Sequence, residues 1–234
     1  MTGAIALVGS GEFTPQLESV DRELLAATGR SRPRVAILPT ASIPDGEEVF
    51  QRWVEMGRQH FTALGAEVEP VLVRDRDDAQ EAANAQAIGE ADLVYLSGGK
   101  PDFLYDVIAG TAVERALHEA HERGAVLAGC SAGAMVLADR RIRWRRRIPF
   151  PPSWQPAFGF VARTAVAPHY DAIPEPILAA FILTAPRGGV VLGIDENTAL
   201  VGRDGAWQVM GAGRVTVWRG RRRTRHHDGE LVRL

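Results

Sequence analysis

The stretch Ala125-Val-Leu-Ala-Gly-Cys-Ser-Ala-Gly-Ala-Met-Val-Leu137 reads as a short buried strand, a sharp turn and the start of a helix, with Ser131 at the apex. An apolar run at 125–128 leads into the turn, and Met135 and Val136 follow it with apolar helical spacing. A strand-to-helix elbow of this kind strains its apex residue and pushes the hydroxyl out of the fold, where it can act as a nucleophile. Gly129 and Gly133, two residues to either side, let strand and helix approach closely. The helix opening at Ala132 aims backbone N–H groups and its positive dipole end at the same point. An oxyanion developing during acyl transfer would be stabilised there. The glycine register puts Ser131 at the apex, so Cys130 is expected to point back toward the sheet as a small apolar filler.

Outward from the elbow, apolar runs at 5–8, 35–38, 68–73, 93–96, 126–128 and 190–194 alternate with helical patterns. Strands apolar on both faces that alternate with helices predict an α/β fold, a doubly wound and mostly parallel sheet flanked by helices. Thr14 is expected to cap a helix opening at Pro15. Asp45 and Glu48 resemble a capping box before the helix face formed by Val49, Phe50, Trp53, Val54, Phe61 and Leu64. Residues 112–123 predict a further helix, closed by Gly124. Beyond Ala199, alternating segments at 207–210, 214–218 and 231–234 predict antiparallel edge strands within residues 206–234. With no linker or repeat, one domain is expected over residues 1–234, carrying an irregular Arg- and Pro-rich insertion at 140–160. Ligands of such sheets lie beyond the carboxyl ends of the strands. That rule gathers Gly9-Ser-Gly-Glu12, Pro39-Thr-Ala-Ser42, Ser97-Gly-Gly-Lys100 and the Ser131 elbow into one place.

Composition narrows the partners. The chain has 234 residues, 46% of them hydrophobic, and a net charge of −2, enough for one substantial core. A single cysteine allows no disulfide within the chain and supports no cysteine metal cluster. The opening Met-Thr-Gly-Ala-Ile-Ala-Leu-Val reads as a first strand rather than a leader, and no apolar run approaches a membrane span. A cytoplasmic protein without membrane partners is expected. Lys100 is the only lysine, and arginines concentrate at 140–147 and 219–225. These are read as a solvated loop and an edge strand guarded against aggregation, not as a nucleic-acid surface. Gly9-x-Gly11 lacks the third glycine of a dinucleotide fingerprint, and neither a phosphate-binding loop nor His-Glu-x-x-His occurs, so no cofactor and no metal are expected.

Ser131 needs a base. Among the six histidines, His60, His118 and His121 fall in predicted helices, and His226 and His227 in a polar C-terminal turn. His169 instead follows the apolar run 165–168 at a strand-to-loop junction, where Pro168 fixes the approach, and it is the candidate general base. A carboxylate must orient the imidazole. Glu196, emerging from the run 190–194, is preferred, with Asp171 and Asp195 as alternatives.

Taken together, Tyr95-Leu-Ser-Gly-Gly99, Gly129-Cys-Ser-Ala-Gly-Ala134, Pro168-His-Tyr170 and Ile194-Asp-Glu-Asn-Thr-Ala199 resemble the aspartyl dipeptidase and cyanophycinase family of serine peptidases, from residue 1 to about residue 202. The resemblance implies a class I glutamine amidotransferase-like fold, with Ser131 as nucleophile, His169 as base, Glu196 as acid, and an oxyanion hole from the backbone N–H groups of Gly99 and Ala132. Gly98, Lys100 and Tyr170 are expected to border the substrate. Members that act beside aspartate are expected to carry arginines shortly after the histidine, but residues 171–186 contain none. The arginines of 140–147 are the alternative carboxylate holders. Lys100 also departs from the Asp or Asn expected after the glycine pair. The expected function is a small-peptide exopeptidase, dipeptidase-like, acting on a small peptide or amide through an acyl-enzyme. The alternative is a catalytically inactive small-molecule or peptide-binding protein on the same fold. A homodimer is left open.

Overall fold

The computed structural model describes residues 1–143, 153–203 and 205–234. In chain order its strands are β1 (Ile5–Val8), β2 (Arg34–Leu38), β3 (Glu67–Pro70), β4 (Leu93–Leu96), β5 (Val126–Cys130), β6 (Ala138–Ile142), β7 (Trp154–Pro156), β8 (Val161–Ala167), β9 (Val190–Ile194), β10 (Thr198–Arg203), β11 (Ala206–Gly211), β12 (Arg214–Arg219), β13 (Arg222–His227) and β14 (Leu231–Arg233). The helices are α1 (Glu18–Ala27), α2 (Glu47–Ala63), α3 (Ala82–Glu90), α4 (Pro101–Ile108), α5 (Ala112–Arg123), α6 (Ala132–Leu137) and α7 (Glu175–Ile182).

One sheet has the order β14-β11-β10-β1-β5-β4-β2-β3. Its five strands β1, β5, β4, β2 and β3 run parallel, and β10, β11 and β14 extend it antiparallel. Every residue of β1, β4 and β5 is buried, as strands covered on both faces require. The expected α/β architecture, a multi-strand sheet flanked by helices, is what the chain adopts.

A second sheet, β13-β12-β9-β8-β6-β7, was not expected. Residues 190–194, read as part of the parallel sheet, pair instead with β8 and β12 in this one. An apolar run buried on both faces looks the same whichever sheet holds it. Within the 140–160 stretch, expected to be irregular, residues 140–142 belong to β6 and 154–156 to β7; what was expected of residues 144–152 lies outside the described residues. Of the C-terminal strands, β11 and β14 do extend the large sheet, whereas β12 and β13 complete the second one. Residues 219–225, the second arginine cluster, fall mostly on the exposed outer strand β13.

Two capping expectations fail. The N-cap of α2 is Gly46, one residue later than the capping box needed, and Asp45 pairs with Lys100 at 3.0 Å instead. Thr14 caps no helix with its side chain; its hydroxyl donates to Gly11 O at 2.5 Å ahead of a short 3-10 turn. The apolar face of α2 forms in part: Phe50 and Phe61 are buried, Trp53 and Leu64 pack on the core that holds Phe61, and Val49 and Val54 stay half-buried. Gly124 closes α5 in the left-handed conformation. Among the described residues, no helix is long and apolar enough to cross a membrane.

Candidate active site

Ser131 sits between β5 and α6 with φ 49° and ψ −106°, a backbone conformation that a residue with a side chain rarely adopts. Its amide is fixed by donation to Val8 O at 2.9 Å. A Cβ on Gly129 would run into the backbone of Gly133, and one on Gly133 into the carbonyl of Leu96, so the elbow closes only with glycine at both places. The strain expected of the turn is therefore present at the apex residue, held by tight backbone packing on either side.

His169 comes from the other sheet. β8 ends at Ala167, Pro168 follows, and His169 takes φ 50°. Its Nε2 lies 3.0 Å from Ser131 Oγ, and its Nδ1 lies 2.8 Å from Glu196 Oε1. Glu196 occupies the crossing from β9, in the second sheet, to β10, in the first. That crossing is clamped. Asn197 has φ 52° and donates its amide to Ser10 O at 3.2 Å, while Gly9 passes so close to the Ile194 and Asp195 carbonyls that a side chain there would overlap them. The glycines that failed as a dinucleotide fingerprint thus serve the approach of the Glu196 turn.

The three acidic candidates separate cleanly. Glu196 meets the imidazole, Asp171 Oδ1 accepts the backbone N–H of Glu196 at 2.9 Å, and Asp195 is buried against Arg214, accepting its backbone N–H at 3.2 Å. Burial, with the nearby Asp171 charge adding to it, raises the Asp195 carboxyl above its ordinary value. Gly99 and Ala132 both line the cavity that opens beside Ser131, as does Lys100. Gly98 and Tyr170 do not. The Gly98 N–H is donated to Glu12, and Tyr170 is buried, accepting from Trp218 Nε1 at 2.9 Å and donating to Glu175 at 3.2 Å. Tyr170 therefore anchors the turn that carries His169 and is not among the residues lining the cavity.

Sequence reasoning missed Glu12. This buried carboxylate accepts the Gly98 N–H on one oxygen and the Cys130 thiol on the other, each at 2.8 Å. It ties the Ser97–Lys100 turn to β5, the strand that leads to Ser131. Burial, with the Glu12 charge adding to it, pushes the Cys130 thiol well above its usual range, so Cys130 stays a protonated donor and not a thiolate. The expectation of an apolar filler is half right: Cys130 is fully buried, yet it is hydrogen-bonded. Among the described residues, no three His, Cys, Asp or Glu side chains cluster as metal ligands.

A serine hydroxyl at a strained elbow, in line with an imidazole and a carboxylate, is the constellation of serine hydrolases. The comparisons with known proteins agree with that class. The profile of Peptidase family S51 matches residues 5–210, and the chain belongs to that family of serine peptidases. A cyanophycinase of Trichormus variabilis is 26% identical over 221 residues, 92% of this chain and 72% of the relative. An uncharacterized peptidase of Bacillus subtilis is 28% identical over 169 residues, 71% of this chain and 68% of the relative. The crystal structure of a peptidase from an acI-B1 Actinobacterium superimposes with a TM-score of 0.90 at 31% identity, covering 100% of this chain and 98% of that one.

Proposed function

We propose that this chain is a small-peptide exopeptidase, dipeptidase-like, working through Ser131, His169 and Glu196. Ser131 Oγ attacks the scissile carbonyl while His169 Nε2 takes its proton, and the resulting imidazolium gives that proton to the leaving amine. Glu196 holds the imidazole in the tautomer with Nδ1 protonated and stabilises its cation. The backbone N–H groups of Ala132 and Gly99 receive the oxyanion. Water, activated by the same imidazole, then releases the acyl group from Ser131. The single observation that carries this reading is the continuous line from Ser131 Oγ through His169 to Glu196 Oε1, at 3.0 and 2.8 Å.

Ser131→Ala tests it. Against a panel of short peptides the variant should lose turnover by a factor on the order of 10⁴ or more, as nucleophile deletions do, while the thermal melt changes little. A fluorophosphonate should label the wild-type protein at Ser131. Undiminished peptide hydrolysis by the variant would rule out the mechanism.

A further inference from the structure

The cavity beside Ser131 measures about 660 Å³, within the range of small-ligand sites, and its wall is built largely of hydrocarbon. Ile142 and Trp154 come from β6 and β7, Val166 from β8, and Ile173, Ile177 and Leu178 from the segment that enters and forms the start of α7. Trp154 donates its one polar hydrogen to Thr184 Oγ1 at 3.0 Å, which leaves its ring with no donor to offer. Ile177 is 52% exposed, a large apolar side chain left facing open space on the wall of a catalytic cavity.

Charge points the same way. Among the described lining residues, Lys100 is the only lysine or arginine, and its ammonium lies 3.0 Å from Asp45 Oδ1. The described members of the first arginine cluster are engaged by neighbouring acids: Arg140 with Asp139 at 3.5 Å, Arg141 with Asp102 and Asp106, and Arg143 with Asp106 at 3.9 Å. None of the three lines the cavity. A carboxylate set against the described part of this wall would lose water and meet no cation except Lys100, which Asp45 already pairs, whereas an apolar side chain would gain by leaving water.

We infer that the substrate side chain entering this cavity, next to the scissile amide, is large and apolar, aromatic or branched aliphatic, and not acidic. The inference rests on the reading of Ser131 as nucleophile, because it takes the cavity to be that nucleophile's substrate pocket. α7 supplies the selective wall. It is held in place by Arg225, whose guanidinium lies 3.2 Å from Glu175 Oε2, and by Arg223, which pairs with the same carboxylate.

The test is calorimetric binding to Ser131→Ala, which cannot turn substrate over, alongside hydrolysis by the wild-type protein. The peptides are dipeptides with Phe, Leu, Ala, Asp or β-linked Asp on either side of the amide. Phe or Leu peptides should bind about tenfold or more tighter than Asp peptides, the discrimination an apolar pocket supplies, and the position of the preferred residue shows which side of the amide the cavity serves. Wild-type kcat/KM should rank the peptides in the same order. Ile177→Asp, at a half-exposed position that tolerates charge, should reduce the Phe-to-Ala ratio of kcat/KM about tenfold. Tightest binding of Asp or β-Asp peptides, the result expected if Arg145, Arg146 or Arg147 supplies a cation, overturns the inference. So does equal binding of all peptides, or binding of none. Apolar binding without wild-type hydrolysis would instead overturn the peptidase reading and leave the pocket assignment standing.

Discussion

Glu12 is a carboxylate with almost no contact with water that spends both oxygens on the machinery around Ser131. Removing a partner from a buried donor costs the desolvation of that donor, about 1–3 kcal/mol. Glu12→Ala should therefore lower stability by about that much, read in a denaturant melt, and should also reduce kcat, because the Gly98 N–H it releases sits beside the oxyanion-hole candidate Gly99. A purely structural role would move the melt and leave kcat intact. The residue was invisible in the sequence because its partners lie 86 and 118 positions away, and a glutamate in a glycine turn carries no local signature. Ser131, His169 and Glu196 were legible for the opposite reason. Each stands within two residues of the end of an apolar strand, and ligand crevices gather at strand ends.

At the scale of elements, the β5–α6 elbow stands on close backbone approach. Gly133→Ala would drive a methyl into the Leu96 carbonyl, and overpacking of this kind costs about 1–3 kcal/mol. The variant should be less stable by that amount and lose most of its turnover, since the clash lies in the turn that carries Ser131; wild-type kcat with a lowered melt would show that the strain is relieved without displacing Ser131. The elbow itself was readable from glycine spacing. α7 was not, because Pro174 and Pro176 at its start hide a helical pattern that is apolar on nearly every side. α4 was hidden by its start as well, where Lys100 and Pro101 continue directly from the Ser97-Gly-Gly turn.

For the whole molecule, burial is steeply graded. β1, β4 and β5 are buried throughout, whereas β13 is exposed along nearly its whole length at the rim of the second sheet. Amide hydrogen exchange should follow that gradient: β1, β4 and β5 should open only with global unfolding, and β13 should exchange by local opening orders of magnitude sooner. Uniform protection across both sheets would refute it. The parallel sheet was legible from alternating apolar runs. The second sheet was not, since β9 has the apolar content of a central parallel strand and β6 and β7 are separated by the arginine-rich stretch. That division has a mechanical outcome. The serine rides on one sheet and the imidazole on the other, with the acidic residue on the bridge between them, so any sliding of the two layers stretches the contact that the proposed proton transfer needs. Agents that loosen the seam, such as mild denaturant or pressure, should silence the enzyme well before either layer comes apart.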